Sequence, residues 1–293
     1  MDELYLDILH ETVSRPEPID CNSLENQMIA MGKALMRAKK TMTLEERKLL
    51  VMAMTKIKWA QVDNDITVEL SKIEIADIMR WSVDASDRST RIRKLANSLS
   101  EHSMIRIDGI DKGQWDDGVL IPRVNCRKKG SIKVYFAEQF RPLLENLTKD
   151  KDFVTVWAND IYGFNSVYAY LLFEDLRLHC DTRRTNWRTY TTKELKELFG
   201  IPKEGAGSYM RVKDGFNRSE FERKVLDVAV TEINKGQMIQ IQPFSGMEAK
   251  KDKPNSYDKL YAKIKKNGRI AGYQFKYVVR TNTEKPFMLE ESE

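Results

Sequence analysis

The sequence predicts an α+β protein of two tandem winged-helix domains, a fold in which a helix-turn-helix is followed by a β-hairpin. The first observation is the order helix, strand, helix, helix and hairpin in the first half of the chain. The second is that the same plan returns in the second half as a pseudo-repeat. The third is a length of 293 residues, which suits two domains with a proper core.

Capping boxes mark the first helices. Thr43–Glu46 opens a helix whose wide apolar face, Leu49–Ile57, should be buried. Residues 66–70 alternate between apolar and polar side chains, as is typical of a short strand. Ser71–Glu74 is a second capping box and predicts a helix to about Arg80.

The next helix, predicted over Ser86–Glu101, is the recognition helix of the first domain. Its outer face carries Arg88, Arg91 and Lys94, at positions i, i+3 and i+6. Contact with DNA is one interpretation of this basic face, and a face that is only solvated is the other. The inner stripe is Ile92, Leu95, Ala96 and Leu99.

A wing completes the first unit. The predicted strands are Met104–Asp108, Trp115–Pro122 and Ile132–Phe136, followed by a helix near Ala137–Leu147. Arg127, Lys128 and Lys129 lie between the last two strands. Such clusters usually bind phosphate without base preference.

The second half repeats this plan. An apolar helix is predicted over Ser166–His179, and Trp187 and Arg188 lie in the loop that follows. Thr191–Glu194 begins a short helix that ends at Gly200. The second recognition helix is predicted from the cap Asn217 to Lys235, with Phe221, Val225, Val228, Ala229 and Ile233 on its inner face.

Two strands, Met238–Gln242 and Ile270–Val279, close the second unit. Between them lies a polar, basic loop, 244–269, which we interpret as an extended wing. Lys265 and Lys266 of this loop are candidates for phosphate contact.

Charge divides the chain into four segments. Residues 1–22 form an acidic arm of net charge −5, and residues 284–293 form an acidic tail of −3. The overall charge of +5 therefore leaves +13 on the body between them, which comprises the predicted domains 23–150 and 151–283. A basic body predicts a polyanionic partner, most simply nucleic acid.

Several classes of protein are disfavoured. His10, His102 and His179 are scattered and form no metal pair, and we find no catalytic motif. We therefore predict no enzyme activity, no cofactor and no metal site. The three cysteines are far apart, and no 18-residue apolar run or signal peptide is found, so we expect a reducing, cytoplasmic location.

Four motifs, in order, resemble those of the iteron-binding replication initiators of theta-replicating plasmids, the RepA/RepB type. They are Asn26–Ile29 with Leu44–Leu50, Ser166–Glu174, Phe221–Asn234 and Gly272–Tyr277. Phe173 stands where the family usually has tyrosine. The resemblance covers about residues 23–280 and leaves the acidic arm outside.

The resemblance implies a sequence-specific DNA-binding protein without catalytic activity. Monomers of such initiators bind directly repeated iterons at a plasmid origin and recruit the host initiator, helicase and polymerase. Dimers bind an inverted operator and repress their own gene. The first domain then carries the dimer contact and touches DNA, and the second supplies the main base readout.

The second recognition helix should enter the major groove by its N-terminal end. Arginine can pair with guanine, and asparagine with adenine unless the helix cap occupies it. Glu222 either accepts from cytosine or pairs with Arg218. The candidates for base contact are Asn217, Arg218, Glu222 and Arg223, and those for phosphate contact ahead of the helix are Tyr209, Arg211 and Lys213.

Three other functions stay open from the sequence. The main alternative is a tandem winged-helix transcription regulator with no replication role. A second is an enzyme acting on DNA, such as a recombinase or relaxase. A third is a protein-interaction module, which leaves the basic body unexplained.

Overall fold

Two stretches of helices and strands follow the same general order in a computed structural model of the protein. The structure describes residues 28–32, 42–57, 66–81, 85–108, 115–126, 130–140, 153–180, 185–201, 217–244 and 260–280. The acidic arm 1–22 and the acidic tail 284–293 lie outside the described residues.

The first stretch begins with a strand and ends in a short 3₁₀ turn. Its elements are β1 (Met28–Gly32), α1 (Leu44–Thr55), β2 (Thr67–Ser71), α2 (Lys72–Ile78), α3 (Ala85–His102), β3 (Met104–Asp108), β4 (Trp115–Val119), β5 (Arg123–Cys126), β6 (Ser131–Tyr135) and the turn Glu138–Phe140. Complete capping boxes at Thr43 and Ser71 start α1 and α2, as predicted. The predicted inner stripe of α3 is buried. Most of the predicted helix near 137–147 lies outside the described residues.

The second stretch contains the longest strand. Its elements are β7 (Phe153–Trp157), α4 (Ala158–Gly163), α5 (Val167–Leu178), β8 (Asn186–Thr191), α6 (Thr192–Leu198), α7 (residues 218–235), β9 (Ile239–Gln242), β10 (Ala262–Lys266) and β11 (Arg269–Val279). A capping box at Thr191 starts α6, and Asn217 caps α7. Both caps were predicted.

All described strand pairs are antiparallel. In the first stretch, β6 lies between β2 and β5, and β3 pairs with β4. In the second, β11 pairs with β8, β9 and β10. In the sheet of β2, β5 and β6 and in that of β8 to β11, apolar side chains lie on the inner face and join the helices in the core.

The predicted strand Trp115–Pro122 is wrong at its end. β4 stops at Val119, and β5 begins at Arg123. The backbone N–H of Leu120 still donates to the carbonyl oxygen of Ser103 at 2.8 Å, but the N–H of Ser103 donates to Ser100 in α3, so the ladder with β3 ends here. Pro122 has no N–H to continue a ladder.

Two segments that were predicted as loops form strands in the structure. Trp187 and Arg188 lie on β8 rather than in a loop, because β11 pairs with this segment residue by residue. Lys265 and Lys266 lie on β10, and the turn to β11 is Asn267-Gly268. Both turn residues have positive φ, 52° and 74°, which is typical of a tight hairpin.

Strand β7 lies at the predicted joint between the domains and pairs with β1 over the full length of both strands. The sequence predicted neither strand, and it also missed α4. Residues 153–157 therefore belong to a sheet with residues 28–32. The division at residues 150 and 151 stays a prediction.

Helix α7 contains a π segment, Glu222–Leu226, between Arg218–Phe221 and Asp227–Lys235. Its hydrogen bonds span five residues instead of four, so the residues that follow are rotated relative to a uniform α-helix. Val228, predicted on the inner face, is therefore only half-buried, whereas Leu226 and Val230 are buried.

The first turn of α1 carries four consecutive charged residues, each of which contacts a different element. Glu45 accepts a hydrogen bond of 3.2 Å from the indole N–H of Trp81, a residue that follows α2. Glu46 accepts from Ser98 of α3 and lies 2.8 Å from His102 Nδ1. Arg47 and Lys48 contact α5 and α4, respectively.

Arg47 forms a buried ion pair with Glu174 of α5, at 3.1 Å. Its Nε also donates to the carbonyl oxygen of Met42 at 2.9 Å, and its guanidinium lies 4.9 Å from the ring centroid of Tyr170. The hydroxyl of Tyr170 donates to Glu174. The pair therefore keeps hydrogen-bonding partners in place of water.

Lys48 donates to the carbonyl oxygen of Tyr162 in α4, at 2.8 Å, and is buried. Burial, followed by the nearby charge of Arg80, lowers the pKa of Lys48 to about 8. Helix α1 thus contacts α2, α3, α4 and α5 through one turn.

Two carboxylates connect α4 and α5 to the end of α7. Asp160 accepts from the backbone N–H groups of Gln237 and Met238, both at 2.8 Å. Glu232 accepts from those of Asn165 and Ser166, at 3.0 and 2.9 Å. Burial raises the pKa of Asp160 despite its two hydrogen bonds.

We predict that Gly272→Ala disrupts the pairing of β11 with β8. A Cβ atom at Gly272 would lie 2.2 Å from the carbonyl oxygen of Tyr190, a backbone atom that cannot move alone. We expect a loss of about 3 kcal/mol in the free energy of unfolding, measured by urea denaturation. Gly163→Ala is the control, because its Cβ would have no atom within 4 Å. An equal effect of both variants would contradict the prediction.

We predict that the stability of the wild type rises relative to that of Lys48→Met between pH 8 and pH 10. The folded pKa of Lys48, about 8, lies below the reference value of 10.5, so the unfolded state binds more protons in this range. The penalty of the buried charge is complete below pH 8 and is relieved as the pH rises. We expect a change of about 1–3 kcal/mol, measured by urea denaturation at each pH. A constant difference would reject the prediction.

Candidate nucleic-acid interface

The N-terminal end of α7 is the predicted base-contacting surface, and all four of its candidates make hydrogen bonds within the protein. The side chain of Asn217 accepts from the backbone N–H of Glu220 at 3.1 Å, so it acts as the helix cap. Arg218 is half-buried and donates to the carbonyl oxygen of Ile270 in β11 at 3.1 Å. These bonds anchor the start of the helix on the wing.

Glu222 lies inside the domain, with 7% of its surface exposed. Its carboxylate accepts from Lys263 Nζ at 2.6 Å and from the hydroxyl of Tyr273 at 3.0 Å. Burial, followed by the charge of Glu222, raises the pKa of Tyr273 above its ordinary range. Glu222 is therefore not at the exposed position that the base-contact hypothesis requires, because it lies on the same face of the helix as the buried Val225 and Leu226.

A second hydrogen bond connects the same helix to the wing. The hydroxyl of Tyr261 donates to Asp227 at 2.7 Å, and its ring packs edge-on against Tyr273. Lys263 and Tyr261 lie at the base of the β10–β11 hairpin. Helix and wing hence share a set of polar and aromatic contacts on the inner side of the helix.

Arg223 lies on the outer side of α7, with 68% of its side chain exposed. It contacts Glu220 at 2.9 Å, and Lys224 contacts the same carboxylate at 2.5 Å. Hydrogen bonds from these two cations hold the pKa of Glu220 below its ordinary value, and the bond from Lys224 has the larger effect. Arg223 and Lys224 together form the exposed basic edge of the helix.

The tip of the wing is also basic. Lys265 and Lys266 are exposed at the end of β10, and Arg269 is exposed at the start of β11. Lys266 and Arg269 are cross-strand partners on either side of the turn. The hairpin thus presents cations at the end that points away from its contacts with Glu222.

The first domain has a comparable surface on α3. Arg91 and Lys94 are exposed, as predicted, whereas Arg88 is half-buried. The guanidinium of Arg91 lies over the ring of Trp81, 4.5 Å from its centroid. This face therefore presents two exposed cations on one side of the helix.

Six predicted phosphate contacts lie outside the described residues: Arg127, Lys128, Lys129, Tyr209, Arg211 and Lys213. Lys263 and Tyr273 were missed as partners of Glu222. The Asn267-Gly268 pair is a hairpin signal that would have placed Lys263 on a strand beside Tyr273. The spacing of Glu222 from Val225 and Leu226, three and four residues further on, is the helical signal that indicates its inward orientation.

Neither metal sites nor membrane spans are found in the part of the chain that the structure describes. No group of three or more His, Cys, Asp or Glu side chains there could hold a metal ion. None of the described helices is long and apolar enough to cross a membrane.

Two protein-family models match the chain. The model of the first winged-helix domain, WH1, of initiator replication proteins matches residues 28–177. The model of the second winged-helix domain, WH2, of initiator Rep proteins matches residues 191–277. No curated protein matched in a separate search. Two tandem winged helices, as predicted, are confirmed by these matches.

The chain also superposes on solved structures. The Pi initiator protein, crystallised in complex with iteron DNA, superposes with a TM-score of 0.60 at 18% identity, over 88% of this chain and 99% of that chain. Domains 2 and 3 of RctB superpose with a TM-score of 0.45 at 13% identity, over 82% of this chain and 84% of that chain.

We predict that Glu222→Ala destabilises the protein by about 2–4 kcal/mol. The change leaves the Tyr273 hydroxyl and the Lys263 ammonium without the carboxylate that accepts from them. Urea denaturation measures the effect. Arg223→Ala, one residue along and exposed, is the matched control and should change stability by less than about 0.5 kcal/mol. Equal stability of the two variants would contradict the burial of Glu222 and would indicate an exposed side chain.

Proposed function

The chain belongs to the initiator replication protein family of plasmids, and from this premise we propose that it binds directly repeated sites at a replication origin. One observation carries the proposal. The exposed Arg223 of α7 and the exposed Lys265 and Lys266 of the wing belong to elements that share the contacts of Glu222. A helix and a wing held together in this way suit one face of a DNA duplex.

In the second domain, α7 would enter the major groove and the wing would lie along a neighbouring phosphate backbone. Arg223 is our first candidate for a base contact, since a guanidinium can donate two hydrogen bonds to guanine. Arg218 is the second; one of its terminal nitrogens bonds to Ile270 and its Nε is buried, so only its remaining terminal N–H donors would reach a base. Lys265 and Lys266 would contact phosphate.

In the first domain, we propose that Arg91 and Lys94 contact the phosphate backbone. They are exposed on one face of α3, whose inner stripe is buried in the core. Arg88 is half-buried and would contribute less. The two domains would then hold successive parts of one site, with the first adding affinity and the second adding base preference.

We further propose a monomer that initiates replication and a dimer that represses its own gene. The family and the Pi complex with iteron DNA support this proposal. Host replication proteins are the expected partners at the origin. In this proposal, the free energy of binding to the repeats also helps to open the origin duplex, and this chain carries out no catalytic step.

We predict different effects for Arg223→Ala and Lys266→Ala on binding to the repeats. The first should weaken binding by about 1–3 kcal/mol and relax base preference at one position. The second should weaken all DNA alike and lower the slope of log K against log salt by about one. Fluorescence anisotropy with single-base variants of the site, at several salt concentrations, measures both. A base-specific loss in Lys266→Ala would contradict the assignment.

Footprinting of the DNA beside the gene, at several protein concentrations, tests the proposed function. Protected direct repeats of about one to two helical turns each, next to an A+T-rich stretch, are expected for an origin. Protection of a promoter alone would favour a transcription regulator. Incubation with supercoiled DNA and a divalent metal is the companion assay, and nicking would reject a purely binding role.

A further inference from the structure

Arg91, an exposed cation of α3, lies over an aromatic ring that is fixed at several points. The ring belongs to Trp81, which follows α2 and is half-buried. Its indole N–H donates to Glu45 of α1 at 3.2 Å. The ring therefore has a hydrogen bond at its edge and a guanidinium on its face.

The backbone of Trp81 is fixed as well. Its N–H donates to the carbonyl oxygen of Ala76 at 2.9 Å, and the N–H of Arg80 donates to that of Asp77 at 2.9 Å. Arg80 has a φ of 54°, in the left-handed region. This is a Schellman motif at the end of α2, so the position of Trp81 follows from the helix geometry.

We propose that Trp81 is a positioning residue that holds the Arg91 guanidinium in place for a DNA phosphate. The inference rests on the proposed function, in which this face of α3 contacts DNA. An arginine side chain loses much rotamer freedom when it binds a phosphate. A ring in contact with the free side chain already restricts its rotamers, so less freedom is lost on binding. The N–H donors lie at the edge of the planar guanidinium, so contact through its face leaves them available for phosphate oxygens.

Simple packing is the competing explanation of the same contact. A packing role would change stability on substitution but would not couple the two residues in DNA binding. A positioning role couples them, because the loss of the ring matters only while Arg91 is present. The readout that separates the two is therefore DNA affinity in a double-mutant cycle.

The experiment uses the full chain and a duplex containing one footprinted repeat. We expect Arg91→Ala to weaken binding about tenfold and Trp81→Leu about three- to fivefold. The double variant should bind no more weakly than Arg91→Ala alone. Trp81→Phe, which keeps a ring, should stay within about twofold of the wild type. Lys94→Ala is the matched control on the same face, and its effect should multiply with that of Trp81→Leu.

Each other outcome has a defined meaning. If the effects of Trp81→Leu and Arg91→Ala multiply, the positioning role is rejected while the DNA contact of Arg91 stands. If Arg91→Ala binds like the wild type, the proposed contact fails and the inference fails with it. Circular dichroism and thermal unfolding confirm that each variant is folded, and Trp81→Met replaces the leucine variant if that one is not.

Discussion

The buried ion pair between Arg47 and Glu174 is the contact on which the arrangement of the helices depends. Two charges removed from water are stable only together, and removal of one partner of such a pair typically costs about 3–5 kcal/mol. The pair fixes α1 against α5, and the neighbouring Glu46 and Lys48 fix the same turn against α3 and α4. The residues that carry the family resemblance in α1 and α5 thus hold the helices together, whereas Arg91 and Lys94 of the proposed DNA surface lie outside the resembling motifs.

In the second domain, polar contacts are placed where helix and wing meet. Glu222 and Asp227 of α7 accept hydrogen bonds from Lys263, Tyr273 and Tyr261 of the hairpin. A wing attached in this way is held in a fixed position relative to its helix, so the proposed base contact of Arg223 and the proposed phosphate contact of Lys266 would keep a constant spacing. Such spacing would add specificity without a base-reading side chain, because DNA whose backbone does not match it would have to deform.

Local signals allowed much of the fold to be predicted. The capping boxes at Thr43, Ser71 and Thr191 each depend on residues three positions apart, and all three are present. The pairing of β1 with β7 was missed because its two strands lie more than 100 residues apart and neither shows alternation of its own. For the site, exposure of Arg91 and Arg223 followed from helical spacing, whereas the polar partners that allow Glu222 to stay buried are a lysine 41 and a tyrosine 51 residues away, which local spacing does not indicate.

The π segment also limits how this helix can change in length. A π turn holds about one residue more than an α turn, so deletion of one residue within 222–226 would give a uniform α-helix whose two halves keep nearly the same relative orientation. Deletion or insertion of a residue in the α-helical part after the segment would instead rotate the cap by about 100° relative to the residues beyond it. The π segment is therefore the one part of this helix where a residue can be lost while the basic edge stays in place. Among related proteins, differences in the length of this helix should fall within these five residues.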